Sequence, residues 1–269
     1  MQTGEKREAI MITGKDNEIV KEAARMMESA KYRRERGCFA AEGVRLCCDG
    51  ALSGADIVCF LYTAYASEKY PGEYAILRQK AERSEELSGS LFNKLADTKT
   101  PQGFFCIFRM PAHKSGAFET EPLKRYAALE NIQDPSNLGT ILRTAEALGT
   151  DGVILSGDCC DVFSPKVVRG SMGAVFRVPV RIEPDFTAFV RRLTQSGIIT
   201  YASTPRDADD IREVDFSSGG VMLIGNEGNG LKPETIGACS RRVRIEMKGR
   251  AESLNAAAAA AILLYKLQG

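Results

Sequence analysis

The stretch Val221-Met222-Leu223-Ile224-Gly225-Asn226-Glu227-Gly228-Asn229-Gly230 is an unbroken apolar run that ends in a glycine-rich loop. The run reads as a buried strand, and the loop offers exposed backbone amides able to hold a polar ligand. The pattern then repeats: Val243 to Met247 alternates as a strand does, Gly249 breaks it, and Ser253 or Asn255 caps a helix in which Ala256 to Leu264 are strong formers. Two strand ends thus deliver glycines, amides and a capped helix start to one place, the candidate binding site. Gly225 to Gly230 is not the dinucleotide fingerprint G-x-G-x-x-G, and the lysine and Ser/Thr of a phosphate-binding P-loop are missing.

Working upstream, Tyr126 to Glu130 is a further strand, opening onto Asn131-Ile132-Gln133-Asp134-Pro135-Ser136-Asn137-Leu138-Gly139. Pro135 prevents an early helix start, Ser136 or Asn137 can cap it, and Leu138, Ile141, Leu142, Ala145 and Leu148 form a buried stripe that Gly149 ends. Asn137 and Arg143 lie off that stripe. Val153 to Leu155, Val175 to Ile182 (broken by Pro179) and Ile198 to Ala202 are expected strands, with an amphipathic helix from Phe186 to Leu193. Alternating strands and helices imply a parallel sheet covered on both faces, over residues 125–269.

Ahead of it, residues 1–12 have little pattern and are expected as a mobile tail, and residues 13–109 form a small α/β domain. In the latter, Asn17 to Ala30 is a helix running into Lys31-Tyr32-Arg33-Arg34-Glu35-Arg36, whose cations around a tyrosine can grip phosphates and stack on a base. A solvated helix end is the plainer alternative. Residues 110–124, rich in Pro, Gly and mixed charge, are the linker, and the single histidine, His113, falls in it.

The 269 residues, 44% hydrophobic and 26% charged, describe a globular protein of two domains. A net charge of +1 neither supports nor excludes nucleic acid, so any such function rests on local patches. Eight cysteines without C-x-x-C, and one histidine, assemble no zinc set. No signal-peptide pattern or membrane-length apolar run is present, so reduced thiols in a cytoplasmic protein are expected.

Three separated segments coincide with one family. Glu130 to Ala145, Leu223 to Leu231 and Ile245 to Asn255 resemble, in order and spacing, the three motifs of the SpoU/TrmH RNA 2′-O-methyltransferases of the SPOUT superfamily. Arg169-Gly170-Ser171-Met172-Gly173-Ala174 matches the family pattern between them. Phe39 to Gly43 and Thr98 to Gly103 are similar to the L30e-like substrate-binding domain that precedes many of these enzymes. The resemblance implies a parallel sheet whose C-terminal segment threads a trefoil knot, and a homodimer. It also implies a bent S-adenosylmethionine held at Gly225, Ile245 and Leu254, with Thr204 completing the cleft. Asn137, Arg143, Glu227, Ser253 and Asn255 match the polar set around the reacting ribose, and Lys31, Arg33, Arg34, Arg36 and Arg169 become candidate RNA contacts. No metal is implied. One departure is visible: Glu246 stands where the third motif usually has proline.

Methyl transfer from a sulfonium to a ribose hydroxyl leaves the protein to position the reactants and help the 2′-OH lose its proton. An arginine is cationic at ordinary pH, so Arg143 suits binding a phosphate and stabilising a developing alkoxide better than acting as a base. Glu227 is expected to support the cofactor loop. The target is expected in ribosomal RNA, with tRNA or a non-catalytic assembly role as the alternatives, and an NAD-dependent enzyme as a more distant one.

Overall fold

The computed structural model describes residues 11–111 and 119–269. These fall into two compact units, one reaching Met110 and taking in Phe163–Pro165, the other comprising Pro111–Val162 and Lys166–Gly269. Residues 1–10 of the expected tail and 112–118 of the expected linker, His113 among them, lie outside the described residues. Ile12, assigned to the tail by sequence, is instead held: its N–H donates to Glu86 O at 2.8 Å and its carbonyl accepts from Ser88 N at 3.0 Å.

The first unit runs α1 (Glu18–Glu28), α2 (Ala30–Arg36), β1 (Cys38–Glu42), α3 (Val44–Leu52), β2 (Ile57–Tyr62), α4 (Ala64–Lys69), α5 (Pro71–Lys80), β3 (Ser84–Glu86), α6 (Gly89–Leu95) and β4 (Phe104–Arg109). The four-stranded sheet has the order β1-β4-β2-β3. β4 is antiparallel to both neighbours and β3 parallel to β2. Ile19, Val20, Ala23 and Met26 of α1 pack with Leu61, Phe92 and Phe105 in one core. The single helix expected from Asn17 to Ala30 breaks at Ser29, whose backbone is extended and whose hydroxyl accepts from Tyr32 N at 3.2 Å, capping a second helix.

That second helix corrects the reading of its arginines. Arg33 is 3% exposed, and its guanidinium donates to Met26 O at 2.6 Å and Met27 O at 3.2 Å, the carbonyls ending α1. It satisfies helix-end acceptors and cannot face RNA. Arg36 is exposed but ion-paired with Glu22 at 2.6 Å, while Lys31 and Arg34 are exposed.

The second unit runs β5 (Arg125–Leu129), α7 (Pro135–Ala147), β6 (Gly152–Ser156), α8 (Pro165–Gly170), α9 (Ala174–Arg177), β7 (Val180–Glu183), α10 (Phe186–Gln195), β8 (Thr200–Ser203), β9 (Asp209–Asp210), β10 (Gly220–Ile224), α11 (Pro233–Ala238), β11 (Arg241–Arg244) and α12 (Ala256–Leu267). Its seven strands are parallel, in the order β7-β6-β5-β10-β8-β11-β9. On one face Phe186, Phe189, Val190 and Leu193 of α10 pack with Ala238 of α11 over Tyr126, Ile154, Val221 and Leu223. α12 lies against α7 and β10.

Two expectations are corrected here. Val175 to Arg177 are helical, because Ser171 Oγ accepts from Val175 N at 3.4 Å and turns the chain, and the strand begins only after Pro179 has kept Val178 extended. Helix α7 is capped one residue before its proline: Asp134 accepts from Ser136 N at 2.8 Å, leaving Asn137 inside the first turn with its side chain free for other work.

Among the described residues no helix is long and apolar enough to cross a membrane. Replacing Arg33 with alanine leaves one buried and one half-buried carbonyl short of a charged donor and is expected to lower stability by about 1.5–3 kcal/mol. Arg34→Ala should change it by less than about 0.5 kcal/mol. Urea unfolding of both variants checks this, and equal effects would return Arg33 to the surface.

Candidate active site

Progress from β5 to β6 to β7 runs one way across the sheet, and the chain then crosses to β8 on the far side of β10. The loops leaving β5 and β10 therefore emerge side by side, with Leu129 paired to Ile224, at the carboxyl edge where ligands of parallel sheets bind. β8 and β11 end at the same edge, where Thr204 N donates to Val243 O at 3.0 Å.

Gly225 is fixed by this crowding. A Cβ there would lie 2.1 Å from the carbonyl carbon of Gly230 and 2.2 Å from Leu231 N, so only glycine lets the loop close on itself. The closure is made by Asn226 and Gly230, whose backbones exchange bonds of 3.0 and 2.9 Å. Asn226 Oδ1 accepts from Gly228 N and Asn229 N, and its Nδ2 donates to Asn131 O at 2.8 Å, joining this loop to the one after β5.

A chain of side-chain amides ties in the third segment. Asn255 Nδ2 donates to Asn137 Oδ1 at 2.9 Å, and Asn137 Nδ2 donates to Glu227 Oε1 at 2.8 Å. Glu227 Oε2 accepts from Asn226 Nδ2 at 3.3 Å. Asn255 Oδ1 accepts from Ala257 N and Ala258 N, so the same residue caps α12. Asn137, Glu227 and Asn255, far apart in sequence, thus form one hydrogen-bonded unit.

Beside this unit lies a cleft of about 750 Å³, within the range of small-molecule sites. All four residues expected to hold a cofactor line it: Thr204, Gly225, Ile245 and Leu254. Glu227 and Ser253 do so too. Ile224, Val243, Ala259 and Leu263 give it an apolar wall, and Arg206 and Glu252 add charge.

Arg143 is not among the residues lining this cleft. It is exposed on α7 and lines a second groove of about 830 Å³ with Thr140, Asp210, Arg212, Ile245, Glu246, Ile262 and Tyr265. Ile245 belongs to both hollows. Glu246 bonds to Arg212, which also forks onto the buried Asp210 with Nε at 3.0 Å from Oδ1. That bond from Arg212 holds the Asp210 carboxyl well below the usual carboxylate range and raises the guanidinium in turn. Its stabilising contribution is present above an ordinary Asp pKa and is lost as pH falls through the depressed one, so the clasp is intact at neutral pH.

Sequence patterns passed over several groups. Glu130, 1% exposed, accepts from Lys232 N at 2.8 Å and Thr235 Oγ1 at 2.7 Å, anchoring the start of α11 behind the glycine loop. Asn226 carried only the turn-forming signal of an Asn in a Gly-rich loop. Cys159 and Cys160 adjoin the loop after β5, where burial raises both thiols, Cys160 to about 12. They are therefore protonated packing groups rather than nucleophiles. Among the described residues no group of three or more His, Cys, Asp or Glu side chains could hold a metal. Arg169 is exposed at the end of α8.

Residues 124–265 match the SpoU rRNA Methylase family. The chain belongs to that family. Residues 17–106 match the MRM3-like substrate binding domain. The chain is 31% identical to an uncharacterized tRNA/rRNA methyltransferase of Synechocystis, covering 95% of this chain and 92% of the relative. It is 32% identical to the 23S rRNA (guanosine(2553)-2′-O)-methyltransferase RlmP of Bacillus subtilis, over 68% and 71% of the two chains. An AdoMet-bound rRNA methyltransferase from Sinorhizobium meliloti superposes with a TM-score of 0.85, at 31% identity and over 96% and 97% of the chains. The AdoMet complex of the SpoU methyltransferase AviRb from Streptomyces viridochromogenes gives 0.83, at 27% identity over 94% and 97%.

Gly225→Ala should open the Gly225–Gly230 loop and remove S-adenosylmethionine binding, measured by calorimetry, while leaving the far-ultraviolet circular dichroism unchanged. Retained affinity would show that the loop does not shape the cleft.

Proposed function

We propose that this protein transfers the methyl group of S-adenosylmethionine to a ribose 2′-hydroxyl of RNA, with ribosomal RNA as the substrate class. The observation that carries this is the Asn255–Asn137–Glu227 unit, which ties the first family motif by hydrogen bonds to the second and third, whose residues line a single cleft. Relatives whose names specify 2′-O-methylation of 23S rRNA support the substrate class.

The cleft fits the cofactor. Its apolar wall and the carboxylates of Glu227 and Glu252 suit a sulfonium cation flanked by an adenine ring, and the Gly225 backbone can approach a ligand closely. When bound, the cofactor supplies an already activated methyl group. The chain's own residues then position the ribose. Both oxygens of Glu227 accept amide protons, which makes it an anchor of the glycine loop rather than a free base. Ser253 and the Asn137 and Asn255 amides orient the hydroxyl at the rim.

Arg143 lines the neighbouring groove and not its own chain's cleft, which favours a site completed by a second chain. We include a homodimer in the proposal, formed by the apolar groove between α7 and α12 where Ile262 is 39% and Tyr265 66% exposed. In it the guanidinium of one subunit faces the other's cleft, binds the neighbouring phosphate and stabilises the developing alkoxide. The trefoil threading implied by the resemblance belongs to the same proposal, supported by β11 lying between β8 and β9 and by the return of α12 onto α7. The domain over residues 13–109 binds RNA, with Lys31, Arg34 and Arg36 remaining as contacts and Arg33 removed, and Arg169 on α8 of the other unit is a further contact. A cytoplasmic location belongs to the same proposal, supported by the bacterial 23S rRNA methyltransferases among the relatives.

Transfer of radiolabelled methyl to ribosomal RNA, with mapping of 2′-O-methyl positions, tests the activity; labelling of tRNA alone would move the substrate class. Arg143→Ala should lower turnover by at least about a hundredfold, as loss of an oxyanion stabiliser does, with cofactor affinity within about twofold of wild type. Mixing Arg143→Ala chains with Gly225→Ala chains should restore part of the activity if each site uses both subunits. Two inactive parents giving an inactive mixture would place Arg143 outside the partner's cleft.

A further inference from the structure

With Arg33 buried and Arg36 paired, the basic cluster on α2 presents less to RNA than its sequence promises, and another surface of the same unit has the chemistry of base recognition. Tyr65 on α4 is 68% exposed. The ammonium of Lys69, one turn on, lies 5.3 Å from the centroid of its ring. Such a ring, supported by a cation and left open to solvent, is a stacking platform.

Tyr65 also borders a concavity of about 240 Å³ lined by Thr63, Glu86, Phe92, Asn93 and Gln102. The hollow is too small for the cofactor-sized ligands that fill clefts of several hundred Å³ and suits a single planar group. Its polar groups are placed to read an edge. Gln102 Oε1 accepts from Val44 N at 3.0 Å, which leaves its amide nitrogen as the group available to a ligand, while Asn93 is exposed and can donate or accept. Thr63 Oγ1 is committed to Ala66 N at 3.2 Å. The Glu86 carboxylate in the wall disfavours a phosphate and favours a group that donates hydrogen bonds. Two exposed cations are close in sequence to the lining, Lys94 next to Asn93 on α6 and Lys99 two residues before Pro101, and are available to the sugar-phosphate backbone of an inserted base.

We propose that this concavity takes one unpaired base of the substrate RNA, stacked on Tyr65 with its hydrogen-bonding edge toward Glu86, Asn93 and Gln102. The inference rests on the RNA reading above and deepens it, since it assigns the substrate unit a single-stranded element, a loop or bulge, as its ligand. Double-stranded RNA is read by shape and phosphate and offers no splayed base.

The test uses the full-length protein and a short single-stranded oligoribonucleotide carrying one 2-aminopurine, whose fluorescence falls when it stacks. Wild type should bind with quenching. Tyr65→Ala should weaken binding about 5- to 100-fold and abolish quenching, as removal of one stacking platform does. Tyr65→Phe should keep both, and Glu86→Gln should change affinity according to the base opposite it. Tyr65 is exposed, and S-adenosylmethionine affinity measured by calorimetry should be the same in every variant. The inference is overturned if wild type fails to bind or quench, if Tyr65→Ala binds as wild type does, or if Tyr65→Phe loses as much as Tyr65→Ala. A wild-type protein that stacks the probe yet methylates no RNA would overturn the catalytic reading and leave this one standing.

Discussion

The structure of the catalytic unit depends on one carboxylate held by amides. Glu227 accepts from Asn137 on one oxygen and from Asn226 on the other, and Asn137 accepts from Asn255 in turn. The donors come from separate segments, Asn137 from the first turn of α7, Asn226 from the loop after β10 and Asn255 from the cap of α12, so these bonds add a direct tie between parts that are otherwise held only within their own neighbourhoods. An unpaired carboxylate this close to the interior is costly, and three amides that satisfy one another are stable only when all are present. The unit therefore makes loop positions interdependent. A cleft formed from separated segments needs that property.

Sheet order supplies the rest. Because β5 and β10 are adjacent though widely separated along the chain, their loops leave from one place, and Glu130 at the end of β5 can reach the start of α11 while Asn226 reaches Asn131 O. Glycine at 225 is the local condition for this packing, since a side chain there would strike the backbone of Gly230. The apolar groove bearing Arg143 adjoins the cleft through Ile245, so whatever covers the groove also borders the cleft. The Asp210–Arg212–Glu246 clasp lies on that border. It gives the residue standing in place of the usual proline an ionic partner instead of a rigid ring.

Much of this was legible beforehand where a residue's local role and its tertiary role coincide. Gly225, Ile245 and Thr204 directly follow strands, whose ends in a parallel sheet share an edge, and Leu254 stands just before α12, so their common cleft followed from pattern and resemblance together. Misreadings arose where a side chain's partner lies elsewhere in the fold. Arg33 belongs to a cationic run that looks like a surface patch, but the break at Ser29 folds α2 back so that its guanidinium meets the end of α1. Val175 to Arg177 have strand-forming composition, yet a serine hydroxyl and a positive-φ glycine turn them into a helix.

By itself the sequence determined the alternation of strands and helices, the glycine and proline breaks between them, and the family that its three motifs mark, because these depend on spacing and residue type within short windows. Tertiary structure alone decided that Asn137, Glu227 and Asn255 touch, that Arg143 faces a different hollow from the cleft, and that Glu130 and Asn226 brace the loops. Hydrogen bonds between residues about a hundred positions apart leave no periodic trace in the chain, and they exist only once the sheet has brought their loops to one edge.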